Sequence, residues 1–239
     1  MSRVVGKARI QAALDEVQAS EFGHLSLATR GELWSELGPS TETRSAGETT
    51  EDLAPGHRAR LRLLQAMASD VIASAWKAEE LRWSRELAPT LGPLCRPEDS
   101  PPAIIELALS PERTSSQIEA RAFRYGTFRQ YYYEIWPDAP RAVLCMEFAA
   151  GVLDARARDL RVTPDDYEDG NDRWMPDVYA CWAYAGSTHL YRENRAVRSE
   201  EVAARRNFWR WYLLDALPRA LDGAPIEAVL LPPRDWAPR

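Results

Sequence analysis

The sequence predicts an all-α fold, a single compact multi-helix domain built from antiparallel helical hairpins with an extended C-terminal tail. Three observations carry that reading. Apolar residues recur at steps of three and four along most of the chain, no long Val/Ile/Thr alternation occurs, and no hairpin built on Asn-Gly or Asp-Gly lies between strand-like runs. At 239 residues the chain is long enough for one large domain, and its core needs neither disulfides nor metals.

A first helix is expected over residues 3–19, with Val4, Ala8, Gln11 or Ala12, and Leu14 on one face. A second, around 25–37, is stopped by Gly38-Pro39, because proline has no amide to continue the ladder. Residues 38–55 are rich in Ser, Thr, Glu and Gly and read as a flexible loop. The division is thus an N-terminal helical arm (1–37) packed on the main domain, a loop (38–55) and a helical main domain (56–239).

From His57 to about Leu87, Leu61, Leu64, Ala68, Val71 and Ala75 step by three and four, with Ile72 and Trp76 widening the stripe. Prolines between 89 and 102 then leave room only for a short helix at 103–109. Ser116 and Glu119 have capping-box spacing and open a helix carrying Ile118, Ala122, Tyr125, Phe128 and Tyr131-Tyr132-Tyr133. Asp138 and Pro140 restart the chain, and Val143, Met146, Ala150, Leu153, Ala157 and Leu160 give the clearest helical period in the sequence. These two helices form an antiparallel hairpin by their short connection. A helix over 173–185 ends at Gly186, which is free to adopt the left-handed conformation. Ser199-Glu200-Glu201 opens the last helix, whose Phe208, Trp209, Trp211, Tyr212, Leu213, Leu214 and Leu217 occupy most of its circumference. The tail from Ile226 to Leu231 is read as extended and docked, with a short strand as an option.

Thirty basic residues against 36 acidic ones give a net charge of −6, with 45% hydrophobic residues. That balance excludes a bulk basic nucleic-acid binder and a disordered acidic tail. Only Lys7 and Lys77 are lysines, an imbalance attributed mainly to coding-sequence composition. No apolar run is long enough for a signal peptide or a membrane span, so the chain is expected to be cytoplasmic, with no membrane partner. Cys95, Cys145 and Cys181 have neither zinc-site nor disulfide spacing and read as reduced, buried thiols.

Catalytic signals are sparse. His24, His57 and His189 have no i, i+4 partner, which excludes the helical zinc-protease motif, and they are read as loop or cap residues. No nucleophile elbow or phosphate loop occurs, and no metal or cofactor is expected. Arg192, Arg195, Arg198, Arg205, Arg206 and Arg210 are interleaved with acids and read as a charged helical face. The loop Asp165, Asp166, Tyr167, Glu168, Asp169, Gly170, Asn171, Asp172 departs from a calcium loop at Tyr167 and at Pro176, where a bidentate Glu belongs. Its five carboxylates read as a solvated loop or as a contact surface for a basic partner.

Val178-Tyr-Ala-Cys-Trp182-Ala-Tyr-Ala-Gly186 after that loop, then Arg205-Arg-Asn-Phe208-Trp209-Arg-Trp211-Tyr212-Leu, resemble a predicted immunity-protein family of bacterial polymorphic toxin systems. Over residues 27–221 the resemblance implies a helical cytoplasmic protein that binds and neutralises a cognate protein toxin, with no catalytic residues. In that reading Asp165, Asp166, Tyr167, Glu168, Asp169 and Asp172 are the partner-binding residues, and Phe208, Trp209, Trp211, Tyr212 and Trp182 are structural. Two other classes stay open: a ligand-binding or regulatory helical protein with a pocket made by Tyr131–Tyr133 and Trp209–Tyr212, and an enzyme without a recognisable motif.

Overall fold

A computed structural model describes residues 5–38, 54–87, 89, 97–110, 117–122, 125, 140–157, 176–187, 198–221 and 225–232, and among these all regular structure is helical. The elements are α1 (Lys7–Ala19), α2 (Leu27–Glu36), α3 (Pro55–Met67), α4 (Ala73–Arg82), α5 (Pro101–Leu109), α6 (Pro140–Ala157), α7 (Pro176–Ala185), α8 (Ser199–Trp211) and α9 (Leu217–Ala220). The helix expected from Ser116 is described at 117–122 and at 125, all helical, with the expected Ile118 and Tyr125 buried, whereas Tyr131–Tyr133 and the acidic loop 165–172 lie outside the described residues, as do Ser116, Cys95 and His189.

In α1 the buried face is Ile10, Ala13 and Val17, not the expected face through Ala8, Gln11 or Ala12, and Leu14. Ile and Val remove more apolar surface from water than two alanine methyls do, so they set the orientation of a weakly amphipathic helix. Ser26 caps α2, its hydroxyl accepting from the Thr29 amide at 3.2 Å. Glu16 accepts from the Ser26 amide and the Thr29 hydroxyl, each at 2.5 Å, bracing the α1–α2 turn. Burial alone would raise the Glu16 pKa, but these hydrogen bonds hold it below the ordinary carboxylate value.

The long helix expected from His57 to Leu87 is continuous from Pro55, but two of its turns are π-helical, at Ala68–Ile72 and Trp83–Leu87. The Ala73 amide reaches back five residues to the Ala68 carbonyl. A reason lies in the buried pairs Leu63/Leu64, Met67/Ala68, Val71/Ile72 and Ala75/Trp76, which repeat every four residues. A strict four-residue repeat drifts roughly 40° per step on a 3.6-residue helix, and a wide turn restores the alignment.

The central element is α6. It packs on α5, α7 and α4, and every residue from Ala142 to Leu153 is buried, so the single apolar stripe expected there is instead a helix enclosed on all sides. The next layer is α7, packed on α6, α8, α3 and the π turn at 68–72. At its end Gly186 has φ 67°, and the Ser187 amide bonds to the Trp182 carbonyl at 3.1 Å, the terminator expected there.

The last helix passes through a third π segment, Tyr212–Ala216, immediately before Pro218. Proline has no amide to offer the Leu214 carbonyl four residues back. That carbonyl is taken by the C-terminal tail, whose Ile226 and Glu227 amides reach it at 2.8 and 3.3 Å. The tail is docked as expected, but no strand forms among its described residues, 225–232.

Candidate functional site

The arginines expected to line a solvated face of the last helix mostly do something else. Arg205 is 5% exposed and gathers four partners. It pairs with Glu201 one turn earlier, donates to the Ser187 hydroxyl at 3.0 Å and to the Phe22 carbonyl at 3.4 Å, and lies 2.9 Å from His24 Nε2. Arg206 donates to the Ser20 carbonyl at 3.0 Å, and Arg210 holds Glu227 of the tail at 2.5 Å. One face of α8 therefore fastens both the α1–α2 turn and the C-terminal segment. Gly23 is integral to the fastening, with φ 66° and a backbone so close that a Cβ would sit 2.8 Å from the Val202 carbonyl oxygen.

His24 is accordingly half-buried and faced by arginines, not a free loop residue. Burial, then the Arg205 and Arg30 charges, lower its pKa from 6.5 to about 4, and the neutral ring accepts a hydrogen bond from the Arg205 guanidinium. In the unfolded chain the ring titrates near its ordinary value, so the unfolded state takes up the proton first. Stability is therefore expected to fall as pH drops from about 6.5 to about 4 and to level off below, by about 2 kcal/mol after allowing for residual solvent. Denaturant melts of the native chain and of His24→Gln, which keeps an acceptor but does not titrate, measure this term as the difference between the two pH profiles.

His57 is likewise no surface cap. It is 1% exposed in the first turn of α3, with its Nε2 3.1 Å from Arg156 Nη1, while Arg156 Nε donates to the Ala108 carbonyl at 2.8 Å. Arg30 of α2 and Asp177 of α7 form a second buried link at 3.0 Å, and Arg60 donates to the Trp34 carbonyl at 2.9 Å with its guanidinium over the Trp34 ring. Cys145 and Cys181 are free and fully enclosed, and burial pushes both thiols far above the range in which a thiolate forms at neutral pH. Neither is a nucleophile.

The aromatic cluster of the last helix is core. Phe208, Trp209, Trp211 and Tyr212 are all at most 2% exposed and pack on one another, Phe208 to Trp209 edge-on at 5.0 Å and Trp209 to Tyr212 at 5.4 Å. Tyr131–Tyr133, the other half of the pocket considered with Trp209–Tyr212, lie outside the described residues. Trp182 is partly buried, edge-on to His24 and to Tyr179. A cavity does exist elsewhere, a groove of about 590 Å³ between the α3–α4 run and α5, floored by Ala68, Ile72, Trp76 and Ile105 and rimmed by Lys77 and Glu106. Nothing in the sequence pattern marked it, because its floor is the edge of an ordinary core stripe.

The elements that carry the quoted immunity-like motifs are thus α7 and α8, which pack on each other, with α7 packed on α6 as well. Residues 138–219 match the family model of Immunity protein Imm5. The Imm5 segment covers α6, α7, α8 and the turn into α9, the centre of the packed helices, and it supports an immunity function and, in general terms, a toxin as partner. It also contains the acidic loop, whose carboxylates lie outside the described residues. No curated protein matches the chain.

Proposed function

We propose that this chain is an immunity protein that binds and neutralises a cognate toxin of a bacterial polymorphic toxin system in the cytoplasm, without catalysis of its own. The observation that carries the reading is the Imm5 match over residues 138–219. Two features of the fold agree with it. Helices α6 and α7 of that segment spend most of their side chains on the core, and the two cysteines they carry are sealed. A helical framework of this kind presents loops to a partner. No described helix is long and apolar enough to cross a membrane. Residues 1–37 serve in this reading as an arm clasped on the main domain, 56–239, through Arg205, Arg206 and Arg30.

The contact surface is assigned to Asp165, Asp166, Tyr167, Glu168, Asp169 and Asp172, which the sequence places between α6 and α7 inside the Imm5 segment. Five carboxylates there would draw in a basic toxin surface, and Tyr167 supplies area for a hot spot. Replacing Asp165, Asp166 and Asp169 by Asn is expected to slow association with the toxin at least tenfold at low salt and to flatten its salt dependence. Stopped-flow or surface-based kinetics against the purified cognate toxin measure both. Association rates unchanged at low ionic strength would remove the loop from the interface.

A further inference from the structure

The chain leaves α6 at Ala157 and enters α7 at Pro176, and residues 158–175 between them carry Asp165 to Asp172. A buried charged link stands at each of these two helix ends, and each reaches out of the residues matched to Imm5. At the first, Arg156 is 3% exposed; its Nε donates to the Ala108 carbonyl of α5 at 2.8 Å and its Nη1 lies 3.1 Å from His57 of α3. At the second, Arg30 of α2 donates to Asp177 Oδ1 at 3.0 Å, and the same oxygen accepts the Val178 amide at 2.8 Å. Asp177 sits in the first turn of α7, where the helix dipole favours a negative charge. Pro176 itself lies against Gly151 of α6, so closely that a Cβ there would stand 3.3 Å from the proline Cγ. From Gly151, α6 runs on to Ala157, about 9 Å at 1.5 Å per residue, so both helix ends are set against one rod.

We propose that Arg30 and Asp177 are positioning residues for the toxin-binding surface: their link fixes the first turn of α7, and with it the end of the segment that carries the contact carboxylates. The inference rests on the neutralisation reading and on the loop assigned to it. It gives α2 a part in binding, although α2 lies outside the residues matched to Imm5. Stability alone is a poor reason for such a link. A buried ion pair repays little more than its desolvation, and well-packed apolar residues of similar volume often replace it at no cost. What it supplies is direction, since a guanidinium and a carboxylate meet in few geometries whereas apolar chains pack in many. A helix start held in one orientation presents the carboxylates attached to it in one register, so less freedom is lost when a partner binds. The pair is also neutral as a whole. Removing both members keeps the net charge that steers a basic partner, which separates the placement of the loop from its electrostatics.

Binding kinetics of the full chain with the purified cognate toxin test this directly. In the double variant Arg30→Met, Asp177→Leu the association rate at low salt is expected to stay within about threefold of native, while dissociation quickens about tenfold or more. Gly151→Ala changes no charge and presses on Pro176 from the α6 side, and it is expected to quicken dissociation about threefold. It decides alone if urea denaturation shows that the double variant does not fold. Trp209→Phe alters only the aromatic packing of α8 and is expected to leave dissociation within about twofold of native. Dissociation within that margin in the folded double variant, or in Gly151→Ala when it decides alone, overturns the inference and leaves neutralisation standing. Equal quickening in Trp209→Phe reduces the effect to lost stability and also overturns it. A native complex whose association ignores the Asp165, Asp166 and Asp169 charges removes the loop assignment on which the inference stands. Absence of any complex with the native chain removes the neutralisation reading and this inference with it.

Discussion

Replacing Arg30 by methionine is expected to cost about 3–5 kcal/mol of stability, among the largest effects of any single substitution in this chain. Arg30 is 1% exposed and Asp177 2%, so the substitution takes one charge out of a buried ion pair while methionine fills most of the volume. The same argument predicts that the double variant Arg30→Met, Asp177→Leu recovers much of the loss, because it removes both charges at once. Urea denaturation of the four proteins in the cycle gives the coupling. If Arg30→Met alone melts like the native chain, the pair is not the link between α2 and α7 described above.

Trp209→Ala is expected to destabilise by a similar amount, about 3–5 kcal/mol, for a different reason. The indole is fully buried between Phe208 and Tyr212 and its removal leaves a cavity that closely packed aromatic rings fill only in part. Trp209→Phe keeps most of the apolar area. It also removes an indole N–H that is buried with no hydrogen-bond acceptor, and is expected to cost less than about 1.5 kcal/mol. The contrast between the two variants, read in the same denaturant series, separates core packing from any role in holding a ligand. Equal losses would mean that the ring does more than fill space.

Much of this architecture is legible in the sequence because it rests on local rules. The stripe of α3–α4, the Pro140 start of α6, the Gly186 terminator and the acids opening α8 each follow from periodicity, a fixed proline φ, or a glycine at a left-handed position. What was not legible has a common physical origin. An arginine interleaved with acids looks the same in sequence whether its guanidinium is in water or reaches across to another element. Arg205 and Arg206 read as a solvated face, and only the fold brings Phe22, His24 and Ser20, more than 180 residues away, to within hydrogen-bond distance. His57 was obscured in the same way, since its partner Arg156 lies 99 residues on. The shifted face of α1 is a smaller failure, a choice between two faint stripes that packing on α8 decided. The π turns were hidden for another reason: a four-residue repeat is close enough to 3.6 to pass for an ordinary helix over two turns, and only its persistence from Leu63 to Trp76 requires the wider geometry.

The arginine surplus looks different against this background. Arg30, Arg60, Arg156 and Arg205 are all buried, and each spans two or more elements through a planar group able to serve several acceptors. Lysine has neither the reach in several directions nor the fork geometry for such joints, so Arg→Lys at these four positions is not a conservative exchange.

The central claim is that this chain protects a cell from a toxin by binding it, and growth rescue tests it most directly. Cells induced to express the cognate toxin are expected to arrest alone and to grow when the full chain is co-expressed, with the two proteins purifying as one complex. Continued arrest in the presence of folded, soluble chain, with no complex recovered, would contradict the claim.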